Sequence, residues 1–286
     1  MFLIGPNKKI GFIGVGNMGE ALAGAIIRSD IFDPDGIFIS DISEKRLEIM
    51  KNKYGISNTR DPLELFSECD IVILAVKPQQ TASLLSQISG RRIRADIMKR
   101  KLLISIAAGI TMQKIEGFLY RDLDEPSRAK LPIMRVMPNT PALVSAGMSG
   151  MCANRYATAE DKKMTRVLLE SVGKVIEFGE EDMDAVTALS GSGPAYVFYL
   201  VESMIQGGIA MGLHPEDAVT LTLTTLKGSI RLMETQHEPP EILRQKVTSP
   251  GGTTEAAFKV LESNRVKQHI VEAIAAATRR SKELSQ

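Results

Sequence analysis

Three glycines spaced along Lys9 to Gly19, at Gly14, Gly16 and Gly19, constrain this chain more than any other stretch of it. The apolar run Ile10 to Ile13 predicts a short buried strand, Gly14 and Gly16 a tight turn, and Met18 to Arg28 the helix that follows. Gly14 permits the turn, Gly16 has no Cβ to block a pyrophosphate, and Gly19 lets helix and strand pack closely. The helix N-terminus then offers unpaired N–H groups to an anion. Such a turn alone is weak evidence, because a merely structural strand-to-helix connection shares its spacing. Here the required context is present. A second apolar run, Gly36 to Ser40, ends at the acidic Asp41, about 20 residues on, where a ribose hydroxyl is read. The expectation is a dinucleotide site.

After this unit the strand and helix alternation repeats, which favours a parallel sheet covered on both faces. Asp70 to Val76 is a continuous apolar run ending in Lys77-Pro78, and Leu102 to Ile106 is another, ending in Ala107-Ala108-Gly109. Helices are expected at Ser43 to Lys53, Gln80 to Ile88 and Ala159 to Ser171, the last ended by Gly173. Further strands are expected at Met134 to Met137, Met148 to Ala153 and Val175 to Phe178. Arg121 to Lys130, with Pro126 inside it, reads as a loop. The basic stretch from Arg91 to Lys101 holds no aromatic residue and reads as a solvated surface.

From about Glu181 the texture changes to long stretches at helical spacing: Tyr196 to Met211, Pro215 to Glu234 and Arg265 to Glu283. The fold expected is therefore α/β, a Rossmann-type, doubly wound, mainly parallel sheet in residues 1–180, followed by an all-α domain in 181–286. A chain of 286 residues suits two such domains. The helix from Pro194 to Met211 is apolar on most of its circumference, and a small helical domain cannot bury it alone. It is expected to lie in a subunit interface.

Lys+Arg 35 against Asp+Glu 34 leaves no field that would draw the chain to nucleic acid or anionic lipid. Cys69 and Cys152 are too few for a disulfide framework, which fits reduced thiols and a cytoplasmic location. The opening hexapeptide is too short for a signal segment, and no apolar run approaches the roughly 18 residues of a membrane span. The partners expected are small molecules and copies of the chain itself.

The usual catalytic groups are scarce. His214, His237 and His269 lack the spacing of a helical metal pair, and no metal site is expected. Hydride transfer needs none of them, because the cofactor carries the reaction and the protein holds the acceptor. A second glycine-rich stretch, Val247 to Glu255, lies between two expected helices. Ser249, Thr253 and Thr254 supply hydroxyls, and Gly251 and Gly252 expose backbone N–H groups. Two readings fit it: a receptor for a small anion such as a carboxylate, or a capped helix start. A third stretch, Leu189 to Tyr196, reads either as close packing or as a capping turn.

Val247 to Thr254, together with Leu189 to Tyr196, Val136 to Pro141 and Ala75 to Pro78, resembles pyrroline-5-carboxylate reductase, the enzyme of the last step of proline synthesis. The resemblance runs from Ile10 to Leu284 with the motifs in matching order. It implies a Rossmann domain, and a helical domain that intertwines with its partner as a homodimer, often within rings of dimers. It places Ile13, Gly14, Val15, Gly16, Asn17 and Met18 at the pyrophosphate. Ala75, Val76, Lys77 and Pro78, with Ile106, Ala107 and Ala108, hold the rest of the cofactor, and Asn139 lines the same cleft. The carboxylate of 1-pyrroline-5-carboxylate would lie against Ser249, Gly251, Gly252 and Thr253. Thr254 would hydrogen-bond the ring nitrogen as the catalytic contact. By the same resemblance Glu180, or equally Glu181, would lie near the substrate.

The cofactor expected is NADPH or NADH. Asp41 favours NADH, because it would repel a 2′-phosphate by up to about 4 kcal/mol at about 4 Å and an effective dielectric of about 20. Lys45 and Arg46 are near enough in sequence to compensate, or simply belong to an exposed helix face. Two rivals are weighed: a β-hydroxyacid dehydrogenase or other imine reductase, the former needing a helical-domain lysine where Lys227 stands outside any glycine-rich setting, and a nucleotide sensor without turnover, which the lack of a basic stripe disfavours.

Overall fold

The computed structural model of the chain describes residues 8–59, 61–89, 93, 97 and 99–285. The opening hexapeptide and most of the 91–101 basic stretch lie outside the described residues. Two compact units divide the chain: Met1–Ser192 with Ala277–Gln286, and Gly193–Ala276.

Among the described residues of the first unit, eight strands form one sheet. They are β1 Ile10–Ile13, β2 Ile37–Ser40, β3 Ser57–Thr59, β4 Ile71–Leu74, β5 Leu102–Ser105, β6 Ile133–Met137, β7 Gly147–Ala153 and β8 Gly173–Glu177. Their order is β3-β2-β1-β4-β5-β6-β7-β8, the first six matching the doubly wound dinucleotide-binding order. Every neighbouring pair is parallel except β6 with β7. The continuous apolar runs have the expected cause: β1, β4 and β5 are buried along their whole length. Alternate residues feed opposite faces, with Ile71 and Ile73 in one core cluster and Val72 and Leu74 in the other.

Helices Asn17–Arg28, Glu44–Tyr54, Pro78–Ile88 and Ala159–Glu170 lie where expected. The Arg121 to Lys130 loop contains a short helix, Glu125–Ala129, capped by the Asp124 carboxylate on the Ser127 N–H at 3.0 Å. Pro126 is compatible with it because a first-turn N–H has no helical acceptor to lose. Helices Pro62–Glu68 and Met112–Leu119 also belong to this unit.

The sequence texture changes near residue 181, whereas the first unit continues to Ser192. Glu180 anchors to Arg135 and to the Met112 N–H, and Asp184 accepts from the Ser281 hydroxyl at 2.6 Å, which also ties the C-terminal turns to this unit.

The second unit is helical: Gly193–Ala210, Pro215–Gln236, Pro240–Lys246, Thr253–Ser263 and the first part of Val266–Ser285. It buries little of its apolar surface. No residue of Gly193–Ala210 is buried, and Val197, Phe198, Tyr199 and Leu200 are exposed. An apolar face of this kind on a folded chain marks an interaction surface.

Candidate functional site

Ligands of doubly wound sheets bind beyond the carboxyl ends of the strands, where the order reverses, here between β1 and β4. A cleft of about 840 Å³ opens at that place. Ile13, Gly14, Gly16 and Asn17 line one side of it, Asp41 the β2 side, and Ala75, Val76 and Lys77 the β4 side.

The glycines have separable duties. Gly14 adopts φ 95°, and a Cβ there would meet the Ala75 and Val76 backbone at 2.7–2.8 Å. Gly19 lies against the Gly14 carbonyl, which an added Cβ would approach to 2.5 Å, so helix and loop touch through it. Gly16 faces open space, with nothing within 4 Å of an added Cβ. It is also the N-cap of Asn17–Arg28 and brings no side chain to that helix end. Free first-turn N–H groups beside an unobstructed backbone fit a pyrophosphate.

The other expected cofactor contacts are placed more variously. Val15 is fully buried behind the turn, and Pro78 starts the helix that carries Gln80, Ser83 and Gln87 to the cleft. The sequence reading missed these three, although their spacing at 80, 83 and 87 is a polar helical stripe. Met18 packs against the core as a partly buried residue. Ile106 and Ala107 are buried at the end of β5, and Ala108 is exposed beside them. Asn139 is committed internally: its Oδ1 accepts from the Met148 N–H at 2.9 Å and its Nδ2 donates to the Ser190 carbonyl at 3.3 Å.

Glu180 is likewise engaged within the fold. One carboxylate oxygen accepts from the Met112 N–H at 2.9 Å and from the buried Arg135 guanidinium at 2.6 Å, and the other takes the Cys152 thiol at 2.8 Å. Burial, then the Glu180 hydrogen bond, pushes the Cys152 pKa well above its ordinary range. Glu180 thus ties together β6, β7 and the start of Met112–Leu119. Glu181 stands one residue on, in the same short turn.

The second glycine stretch belongs to the helical unit. Gly251 adopts φ 72°, and Gly252 is the N-cap of Thr253–Ser263, with no side-chain cap. Among the described residues, the Ser249, Thr253 and Thr254 hydroxyls enter no hydrogen bond. The Gly251 N–H donates to the Glu255 carboxylate at 2.5 Å. That contact foremost, then Lys259, holds the Glu255 carboxyl below its ordinary range. The turn therefore already receives a carboxylate, which is the chemistry an anion receptor needs.

A family model described as pyrroline-5-carboxylate reductase dimerisation matches residues 180–284, and one described as NADP oxidoreductase coenzyme F420-dependent matches residues 9–109. Pyrroline-5-carboxylate reductase 2 of Bacillus subtilis is 36% identical over 98% of this chain and 96% of its own. The enzyme of Methanosarcina acetivorans is 40% identical over 97% of this chain and 98% of its own. The chain belongs to the pyrroline-5-carboxylate reductase family. The resemblance carried by its motifs therefore holds along the whole chain. Among solved structures, the Plasmodium falciparum reductase with NADP bound superposes with a TM-score of 0.85 at 34% identity, covering 98% of this chain and 99% of its own. The Coxiella burnetii reductase gives 0.86 at 36% identity, with the same coverage. The family's dimerisation region coincides with the helices whose apolar faces are exposed here.

Proposed function

We propose that this protein reduces 1-pyrroline-5-carboxylate to L-proline with NADPH or NADH, the closing reaction of proline biosynthesis. The observation that carries the reading is full-length kinship with reductases of that name, including one crystallised with NADP. It is supported by a turn at Gly16 that fits a pyrophosphate and a turn at Gly251 that receives a carboxylate.

The chemistry follows from charge. A bound reduced nicotinamide supplies the hydride. The cyclic imine, protonated on nitrogen, is already electrophilic, so no strong protein acid is required. Ser249, Thr253 and the N–H groups of Gly251 and Gly252 hold the substrate carboxylate in this reading. The Thr254 hydroxyl orients the ring and steadies its nitrogen as it becomes an amine. One oriented hydroxyl contributes less than a catalytic acid's typical 10²- to 10⁴-fold, so Thr254→Ala should lower kcat/KM on the order of tens of fold. Unchanged kinetics would remove Thr254 from the site.

The assembly proposed is a homodimer through the helical domain, with rings of dimers as its larger form, and light scattering of the purified protein reads both. Among the described residues no helix is long and apolar enough to cross a membrane. We place the protein in the cytoplasm, acting without membrane or nucleic acid, and fractionation tests that. Turnover is the direct test: loss of reduced nicotinamide that requires pyrroline-5-carboxylate, with equimolar proline formed, supports the reading. Cofactor binding without turnover would favour the sensor.

A further inference from the structure

The peptide of Val15, at the centre of the first glycine turn, is held from both sides. Its N–H donates to the Asp41 carboxylate at 2.8 Å, and its carbonyl accepts from Arg46 Nε at 2.8 Å and Nη2 at 2.5 Å. The other Asp41 oxygen accepts from the Ser43 N–H at 2.8 Å. Arg46 Nη2 also reaches Glu20 at 2.7 Å, and Glu20 takes Lys53 at 2.8 Å on its second oxygen. Asp41, Ser43 and Arg46 all line the cleft at the end of β2, where the adenine ribose of a dinucleotide lies. Lys45, one residue before Arg46, is exposed and does not line it.

Two consequences follow for the 2′ position of that ribose. Asp41 gives a lone pair on each oxygen to a backbone N–H, so its negative charge is already partly answered from within the loop. Arg46 and Lys53 together balance Asp41 and Glu20, so the cluster is neutral where Asp41 alone would be anionic. Among the described residues, Arg46 Nη1 carries no bond, and the side chain keeps 27% of its surface. A planar guanidinium with a free edge is matched to a phosphate.

We propose that Arg46 determines cofactor specificity in this chain: it receives the 2′-phosphate, so that NADPH binds in preference to NADH despite Asp41. The proposal rests on the reading of this cleft as the dinucleotide site. Its test separates the two claims by using fragments that differ only in the 2′-phosphate. Purified full-length protein is titrated calorimetrically with 2′,5′-ADP and with 5′-AMP, and by fluorescence with NADPH and NADH. Wild type should bind 2′,5′-ADP at least about tenfold tighter than 5′-AMP, the scale of a charge-assisted phosphate contact. Arg46→Gln keeps an amide donor for the Val15 carbonyl and removes the charge. It should weaken 2′,5′-ADP and NADPH at least about tenfold while 5′-AMP and NADH change by less than about threefold.

Equal weakening of all four would make Arg46 a loop clamp only and overturn the proposal, as would no change. Binding of none of the four by wild type would sink the cleft assignment and this inference with it. Should Arg46→Gln not fold, Arg46→Lys, which keeps the charge and loses the planar fork, takes its place: 2′,5′-ADP weakened at least about threefold with 5′-AMP unchanged supports the proposal, and an equal change in both, or none, overturns it.

Discussion

The Gly251 N–H points its hydrogen at the carboxylate of Glu255, four residues on, so the turn proposed to seize a substrate anion is occupied by an anion of its own chain. Glu255 is ionised throughout the neutral range, because its partners hold its carboxyl below the ordinary value. An incoming carboxylate meets a like charge already seated on the same turn. Glu255→Ala should therefore lower KM for pyrroline-5-carboxylate about three- to tenfold, with kcat little altered. A raised KM would show that Glu255 organises the turn and does not compete for it.

Gly14 and Gly16 should respond oppositely to alanine. Gly14→Ala puts a Cβ on a left-handed backbone and against the peptide of Ala75, which should cost about 2–4 kcal/mol and show as a lowered Tm. Gly16→Ala meets open space and should melt within about 0.5 kcal/mol of wild type, yet lose at least about tenfold in cofactor affinity. Unchanged affinity in Gly16→Ala would move the pyrophosphate elsewhere.

Glu180→Gln distinguishes a structural clamp from a substrate ligand. It leaves the Arg135 guanidinium, only 5% exposed, without its counter-charge. Breaking a buried pair costs about 3–5 kcal/mol, and the partial exposure of Glu180 reduces this to about 2–3 kcal/mol. Denaturant melts should reveal that loss, while KM for the imine stays within about twofold. A raised KM at full stability would return Glu180 to the substrate.

Both cysteines should be silent toward thiol reagents in the native protein. Cys69 is 1% exposed, and burial foremost pushes its pKa up to about 12; Cys152 is shifted upward too, first by burial and then by Glu180. The thiolate is the reactive form, so at pH 8 neither side chain supplies it. Labelling with Ellman's reagent should report two thiols in denaturant and none without it. Prompt native labelling would mean that β7 or the end of Pro62–Glu68 opens readily.

What the sequence revealed and what it hid divide along physical lines. Strands β1, β4 and β5 are legible because both faces are covered, so their residues are apolar but for Ser105 at the end of β5. The edge strand β3, Ser57–Thr59, is polar and largely exposed, and its pairing with β2 leaves no hydrophobic trace. The antiparallel turn of β7 onto β6 was hidden too, since strand direction is not written in local pattern. The glycine turns could be read because backbone demands are local, whereas the duties of Asn139 and Glu180 depend on partners tens of residues away. Arg46 was ambiguous for the same reason: helix periodicity alone does not reveal that it folds back to Val15.

Following the transferred hydrogen itself tests the proposed reaction at its reacting atoms. Pyrroline-5-carboxylate is turned over with NADPH carrying deuterium on one or the other face of nicotinamide C4, and the proline is analysed by mass spectrometry and NMR. Reduction at this protein should deliver one deuterium from one face only to C5 of proline. Proline formed without label from either face, or no proline at all, would contradict it.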